Sequence, residues 1–156
     1  MYILYKQNDM SRLKGFDEGV RWLRAEDSSL ISAYIEECNR SDKTDYTDYL
    51  TDDNLISYCG LFSGGRLRAV ACVERYSSQF WEAADVRTLP DSRNKGFGCA
   101  VVCFITRHIL QHGRTATCHT HVENIPMRKI LSKLGFEERM RLDDINDHYS
   151  GFITGT

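Results

Sequence analysis

The apolar positions of this 156-residue chain change period several times, and each change marks an expected element. Residues 1–7, Met-Tyr-Ile-Leu-Tyr-Lys-Gln, read as a short first strand. Leu13, Phe16, Val20 and Leu23 recur at helical spacing and predict a helix over 13–24, with Asp9 or Ser11 as its cap. Leu30, Ile31, Tyr34 and Ile35 predict a second helix over 29–38, capped by Asp27 or Ser28. Residues 39–53 lose the pattern, stay polar and carry Tyr46 and Tyr49. They read either as a solvated loop or as a flap whose aromatic and acidic side chains receive a cationic amine.

Strand-like runs follow at 55–62, 66–76 and 80–89; Ser63-Gly64-Gly65 between the first two is a hairpin signal. Residues 96–110 are apolar at helical spacing, and Gly113 is placed to end that helix. Residues 114–122 read as a strand. Residues 124–134 read as a helix that tolerates Pro126 in its first turn and closes at Gly135. Runs at 136–142 and 148–154, separated by the acidic turn 143–147, read as final strands. The strand–helix–strand unit across 84–122 implies a parallel pair with a right-handed crossover. The expected fold is a single α/β (α+β) domain: a mixed, mostly antiparallel sheet with helices on both faces.

One stretch carries candidate chemistry. Between the strand ending near 89 and the helix from 97 lies a polar turn that finishes in Gly96-Phe97-Gly98. A helix start presents backbone N–H groups without helical acceptors, and its dipole favours an anion. Glycines there let a phosphate approach the backbone closely. A nucleotide-binding strand–glycine fingerprint fits poorly, because a six-residue turn intervenes and Val101 stands where a third glycine belongs. A P-loop is excluded, since no Gly-Lys-Ser/Thr follows.

The turn and its flanks, Pro90-x-x-Arg93-x-x-Gly96-x-Gly98 between strand and helix, resemble the acyl-CoA-binding signature of the GNAT superfamily of N-acetyltransferases. Downstream, the helix that opens at Asn124 and ends in Leu134-Gly135-Phe136 resembles that family's Asn-opened helix. The resemblance implies acetyl-CoA as co-substrate, and the GNAT fold. It implies a pyrophosphate held on the backbone of Asn94, Lys95, Gly96, Phe97, Gly98 and Cys99, with Arg93 beside it. It also implies that the main chain of Val86, Arg87 and Thr88 holds the pantetheine arm and acyl oxygen, with Asn124 a further contact to that arm. Asn124 also reads as a helix cap, the commoner role for Asn there, and Val86 and Thr88 also read as strand packing. Arg93 and Lys95 also read as solvated turn residues, and for Lys95 that is the better reading.

An amine acceptor needs a base, because it arrives mostly protonated at neutral pH. Glu82, near the start of the strand leading to the cradle, is the first candidate, at about the position where many GNAT enzymes carry a glutamate. His119 is the second. It stands five residues before Asn124, where some members carry a base, and shares a strand face with His121. The tyrosine that many members place seven residues after the Asn is absent; Leu131 stands there, and Met127 replaces a usual small residue. The sequence therefore supports an N-acetyltransferase for a primary amine on a small molecule, an amino acid or a protein N-terminus, and leaves open a catalytically silent domain that binds acyl-CoA or a partner.

Composition narrows the setting. Lys and Arg number 20 against 22 Asp and Glu, so nothing in the charge points to nucleic acid. The apolar run at 97–110 is interrupted by Arg107 and His108 and is too short for a bilayer, so no membrane association is expected. The first residues lack the form of a signal peptide. Six cysteines without Cys-x-x-Cys pairs read as reduced and structural, which suits a cytoplasmic location. Cys118 lies on the strand face opposite His119 and His121, and no metal site is expected. A homodimer is an expectation by analogy of fold alone.

Overall fold

The computed structural model describes residues 1–13, 19–38, 49–50 and 55–143. Among the described residues seven strands form one sheet: β1 (Tyr2–Gln7), β2 (Val20–Trp22), β3 (Ile56–Ser63), β4 (Arg66–Glu74), β5 (Phe80–Thr88), β6 (Thr115–His121) and β7 (Glu137–Leu142). Three helices accompany them: α1 (Ser28–Glu37), α2 (Phe97–Gln111) and α3 (Ile125–Lys133). The strand order is β2-β3-β4-β5-β6-β1-β7. All neighbours are antiparallel except β5 and β6, which the α2 crossover joins in parallel. The β3–β4 turn holds Gly64 and Gly65 at φ 60° and 73°, the left-handed geometry that a tight hairpin needs.

Alternation along the central strands sorts the core. Ala69, Ala71 and Val73 of β4, with Ala83 and Ala116, face α2, whose Val101, Val102, Ile105 and Ile109 are buried against them. The small strand side chains leave room for these branched helix residues. The opposite face of β4 turns Val70 towards Ile31 and Tyr34 of α1, in a second cluster with Leu67 and Leu89. Helices thus cover both faces. Among the described residues no helix is long and apolar enough to cross a membrane. Each of the six cysteines is a free thiol, and five are buried.

The helix predicted over 13–24 does not hold where it is described. Residues 20–22 are strand β2, paired with Cys59, Gly60 and Leu61 of β3. Residues 14–18 lie outside the described residues. Helical spacing of four apolar residues is a weak local signal, and an open sheet edge outweighs it by supplying a backbone ladder. Asp9 caps only a 3-10 turn, accepting from the Ser11 backbone at 3.0 Å. Asp27 is not a side-chain cap of α1. Its carboxylate instead takes both Nη groups of Arg21 at 2.7 Å, tying β2 to the start of α1. The expected strand at 148–154, the turn residues 144–147 and nearly all of the expected flap lie outside the described residues. Tyr49, at one end of that flap, is buried with its ring 4.6 Å from that of Tyr58.

Candidate functional site

The crossover unit builds the site. β5 and β6 pair only from Phe80↔Thr115 to Glu82↔Thr117, although β5 runs on to Thr88 and β6 to His121. Past those pairs the parallel strands part, and a crevice opens at their carboxyl ends, the usual place for a ligand on such a unit. A cleft of about 830 Å³ lies there. It is lined by the end of β5, the turn after it, the first turn of α2, the first turn of α3 and Cys38 after α1.

Most of the residues singled out from the sequence meet in this cleft. Val86, Arg87, Thr88, Arg93, Asn94, Gly96, Phe97, Gly98, Cys99 and Asn124 all line it. Lys95 is not among its lining residues; its solvated-turn reading matches its exposed position. The first helical hydrogen bond of α2 runs from Ala100 N to Gly96 O, so the N–H groups of 97, 98 and 99 have no helical acceptor. Two left-handed residues, Asn94 at φ 61° and Gly96 at φ 81°, curl the loop under them. Such a run of turned amides makes an anion-binding concavity. At Gly98 a Cβ would stand 3.2 Å from Ile130 Cδ1 and 3.4 Å from Thr88 Oγ1, so the glycine lets α2 close on both α3 and β5. Lys129 and Ile130 of α3 also line the cleft; the sequence reading missed them because only the fold brings α3 beside the turn.

Asn124 is the N-cap of α3, with its Oδ1 accepting from Met127 N at 3.2 Å, and it faces the cleft as well. Leu131 is fully buried in the core and does not line the cleft.

The end of β5 is irregular. Cys72 pairs with Ala84 and Val70 with Arg87, so β5 carries one more residue than β4 across this step. That is a β-bulge at Asp85–Val86, and it leaves both residues outside the β4 register. Asp85 sits at φ 46°, left-handed for a residue with a side chain. Two hydrogen bonds hold its carboxylate: Tyr58 Oη donates to Oδ2 at 2.7 Å and Arg87 Nε to Oδ1 at 2.7 Å. Nothing in the local sequence announces a bulge, because its partner Tyr58 comes from β3.

Glu82 and His119 lie where β5 and β6 separate, outside the cleft lining. They touch: His119 Nδ1 is 3.1 Å from Glu82 Oε1. Glu82 is fully buried, whereas the His119 side chain is 24% exposed. An ionised carboxylate only accepts, so Nδ1 carries the hydrogen and Nε2 keeps the lone pair. Burial pulls the imidazole pKa down, but the hydrogen bond to Glu82 and the charges of Glu82 and Glu74 outweigh it, and the net pKa is raised. His121 lies further out on the same face, with the Tyr2 ring 5.3 Å away.

Residues 58–143, more than half of the chain, match the family described as FR47-like protein. Among curated proteins none matches this sequence. Solved structures are similar in fold. A GNAT-family acetyltransferase from Colwellia psychrerythraea superposes with a TM-score of 0.71 at 18% identity, over 88% of this chain and 52% of its own. A putative GNAT-family acetyltransferase from Novosphingobium aromaticivorans gives 0.69 at 19% identity, over 88% and 59%. The chain therefore spans little more than half the length of these two. AAC(6')-Iy, bound to the bisubstrate analogue CoA-S-monomethyl-acetylneamine, gives 0.67 at 17% identity, over 80% of this chain and 94% of its own.

Proposed function

This chain belongs to the FR47-like family and to the GNAT superfamily, and on that premise we propose that it transfers an acetyl group from acetyl-CoA to a primary amine. The observation that carries this reading is the cleft at the parting of β5 and β6, where the turned loop and free amides of α2 meet the bulged end of β5. Loop and helix start suit the coenzyme A pyrophosphate, with Arg93 and Lys129 as nearby cations. Asn124, which also lines the cleft, is placed to contact the pantetheine arm. Val86, released from the β4 ladder by the bulge, offers its main chain to the thioester carbonyl, where a fixed N–H would stabilise the developing oxyanion.

His119 is the base and Glu82 orients it. Burial favours this order over the one suggested by sequence, since Glu82 is fully buried and the imidazole is partly exposed. His119 Nε2 takes a proton from the ammonium, and the amine nitrogen attacks the carbonyl carbon. A C–N bond forms, the C–S bond breaks, the sulfur leaves with the bonding electrons as thiolate, and the nitrogen sheds its second proton to solvent to give the neutral amide. With Leu131 in the tyrosine position no side chain there protonates it; a thiol of pKa about 8.5 leaves tolerably as the anion. The imidazolium is stabilised by the Glu82 carboxylate.

Thermal denaturation with acetyl-CoA, free CoA and NADH tests the cofactor half of this reading. A ligand at one hundred times its dissociation constant adds roughly 2.7 kcal/mol, a rise of several degrees for a chain of this size. A rise with both coenzyme A species and none with NADH is expected; no rise with any would overturn it. Release of free thiol that depends on an added amine tests the transfer. Coenzyme A binding without thiol release on adding amines would favour a silent acyl-CoA-binding domain.

A further inference from the structure

The bulge in β5 does more than free a backbone group. Glu74 pairs with Glu82, Cys72 with Ala84 and Val70 with Arg87. Positions 70, 72 and 74 share one face of β4, so Glu82, Ala84 and Arg87 share that face of β5. In an unbroken strand residues 86 and 88 would occupy it and Arg87 would point to the other side. The extra residue at the bulge therefore re-aims Arg87 onto the face of the Glu82–His119 pair. Val70, opposite Arg87, belongs to the cluster packed by α1. Thr88 faces the other way, towards Gly98 of α2. Arg87 lines the cleft, and its side chain is 43% exposed. Asp85 engages its Nε, and among the described residues the guanidinium forms no other hydrogen bond.

This face is polarised along β5. At one end stand Glu74 and Glu82 with His119; at the other, one residue beyond Val86, stands a guanidinium held in place by Asp85 and through it by Tyr58. We propose that Arg87 anchors a carboxylate of the acceptor, so that the amine acetylated here is that of an α-amino acid or a similarly short amino-carboxylate. The inference rests on the acetyl-transfer reading above. A nitrogen poised at a carbonyl held by Val86 lies close to the residue that follows Val86, so only a short spacer between amine and anion fits. The planar Nη edge matches a carboxylate in bidentate fashion, and the acidic end suits the ammonium before it gives up its proton. A zwitterion satisfies both ends; a plain diamine or an aminoglycoside leaves the arginine opposed by positive charge.

Initial rates with acetyl-CoA and matched acceptors test this: glycine against glycinamide, tyrosine against tyramine, lysine against cadaverine. The wild-type chain is expected to favour each acid in kcat/KM by roughly 10–100-fold, the worth of a charge-assisted pair. In Arg87→Gln that ratio should collapse towards one through a higher KM for the acid, and Arg87→Lys should restore part of it. Equal rates with acids and their uncharged or decarboxylated counterparts would overturn the proposal and leave acetyl transfer standing. A KM change confined to acetyl-CoA in Arg87→Gln would assign the arginine to a cofactor phosphate and also overturn it. Failure to acetylate any amine would remove the transfer reading itself, and this inference with it.

Discussion

His119 Nδ1 and Glu82 Oε1 lie 3.1 Å apart, joining two parallel strands where their pairing ends, with His119 two residues past the last pair, Glu82 and Thr117. The contact sets tautomer, orientation and proton affinity of the imidazole together. Glu82, fully buried, holds the inner nitrogen, while the His119 side chain remains partly exposed.

Because the charge of Glu82 raises the His119 pKa, the unprotonated base accumulates only as pH climbs through that raised value. kcat/KM is therefore expected to rise with pH along an acid limb displaced upward from the ordinary histidine value. Glu82→Gln removes the charge and leaves burial, which lowers the pKa, so the limb should move to lower pH while the plateau falls. His119→Ala should cost roughly 10²–10⁴-fold in kcat. The pH profile of kcat/KM for the three proteins checks both statements; an acid limb unmoved in Glu82→Gln would refute the pairing.

The same shift has a consequence for stability. A histidine whose folded pKa is raised contributes stability that is full below the unfolded value, about 6.5, and is lost as pH rises through the folded value. Denaturant melts between pH 6 and 8 should show wild type losing stability relative to Glu82→Gln as pH rises.

Asp27 titrates with the opposite sign. The Arg21 side chain holds its carboxyl below the ordinary value of 3.8, and the Arg24 backbone adds to this against the cost of burial. Its contribution is present above that value and is lost as pH falls through the folded pKa. Asp27→Asn should cost roughly 1–3 kcal/mol at pH 7, and the difference between variant and wild type should shrink when melts are repeated below pH 4.

The two cradle glycines should respond differently. Gly96, at φ 81° with open space around a Cβ, suffers only a backbone penalty of about 1–2 kcal/mol as alanine. Gly98→Val instead drives branches against Ile130 and Thr88 and wedges α3 from α2. Calorimetric titration should find coenzyme A affinity reduced at least about tenfold in Gly98→Val, an estimate from the cost of overpacking.

Tyr58→Phe removes the donor that steadies Asp85 in its left-handed conformation. A loss of about 1 kcal/mol in denaturant melts is expected, with a fall in kcat larger than any change in the acetyl-CoA KM.

Much of this site was legible in the chain itself. Gly64-Gly65, Gly113 and Gly135 stand where the backbone turns left-handed, and the strand–turn–helix around Pro90 to Gly98 carries its geometry in adjacent residues. Local steric rules act within a few positions, so the sequence determined the hairpin, the crossover, the left-handed turn ahead of α2 and the family. It could not decide contacts between distant segments. Residues 20–22 became strand because β3 offered a ladder edge; Asp27 left its cap for Arg21; Glu82 met His119 across 37 positions. The bulge that turns Arg87 to the other face depends on pairing with β4 and on Tyr58 from β3. Those were settled by the tertiary structure, because burial, charge pairing and register exist only once remote strands lie side by side.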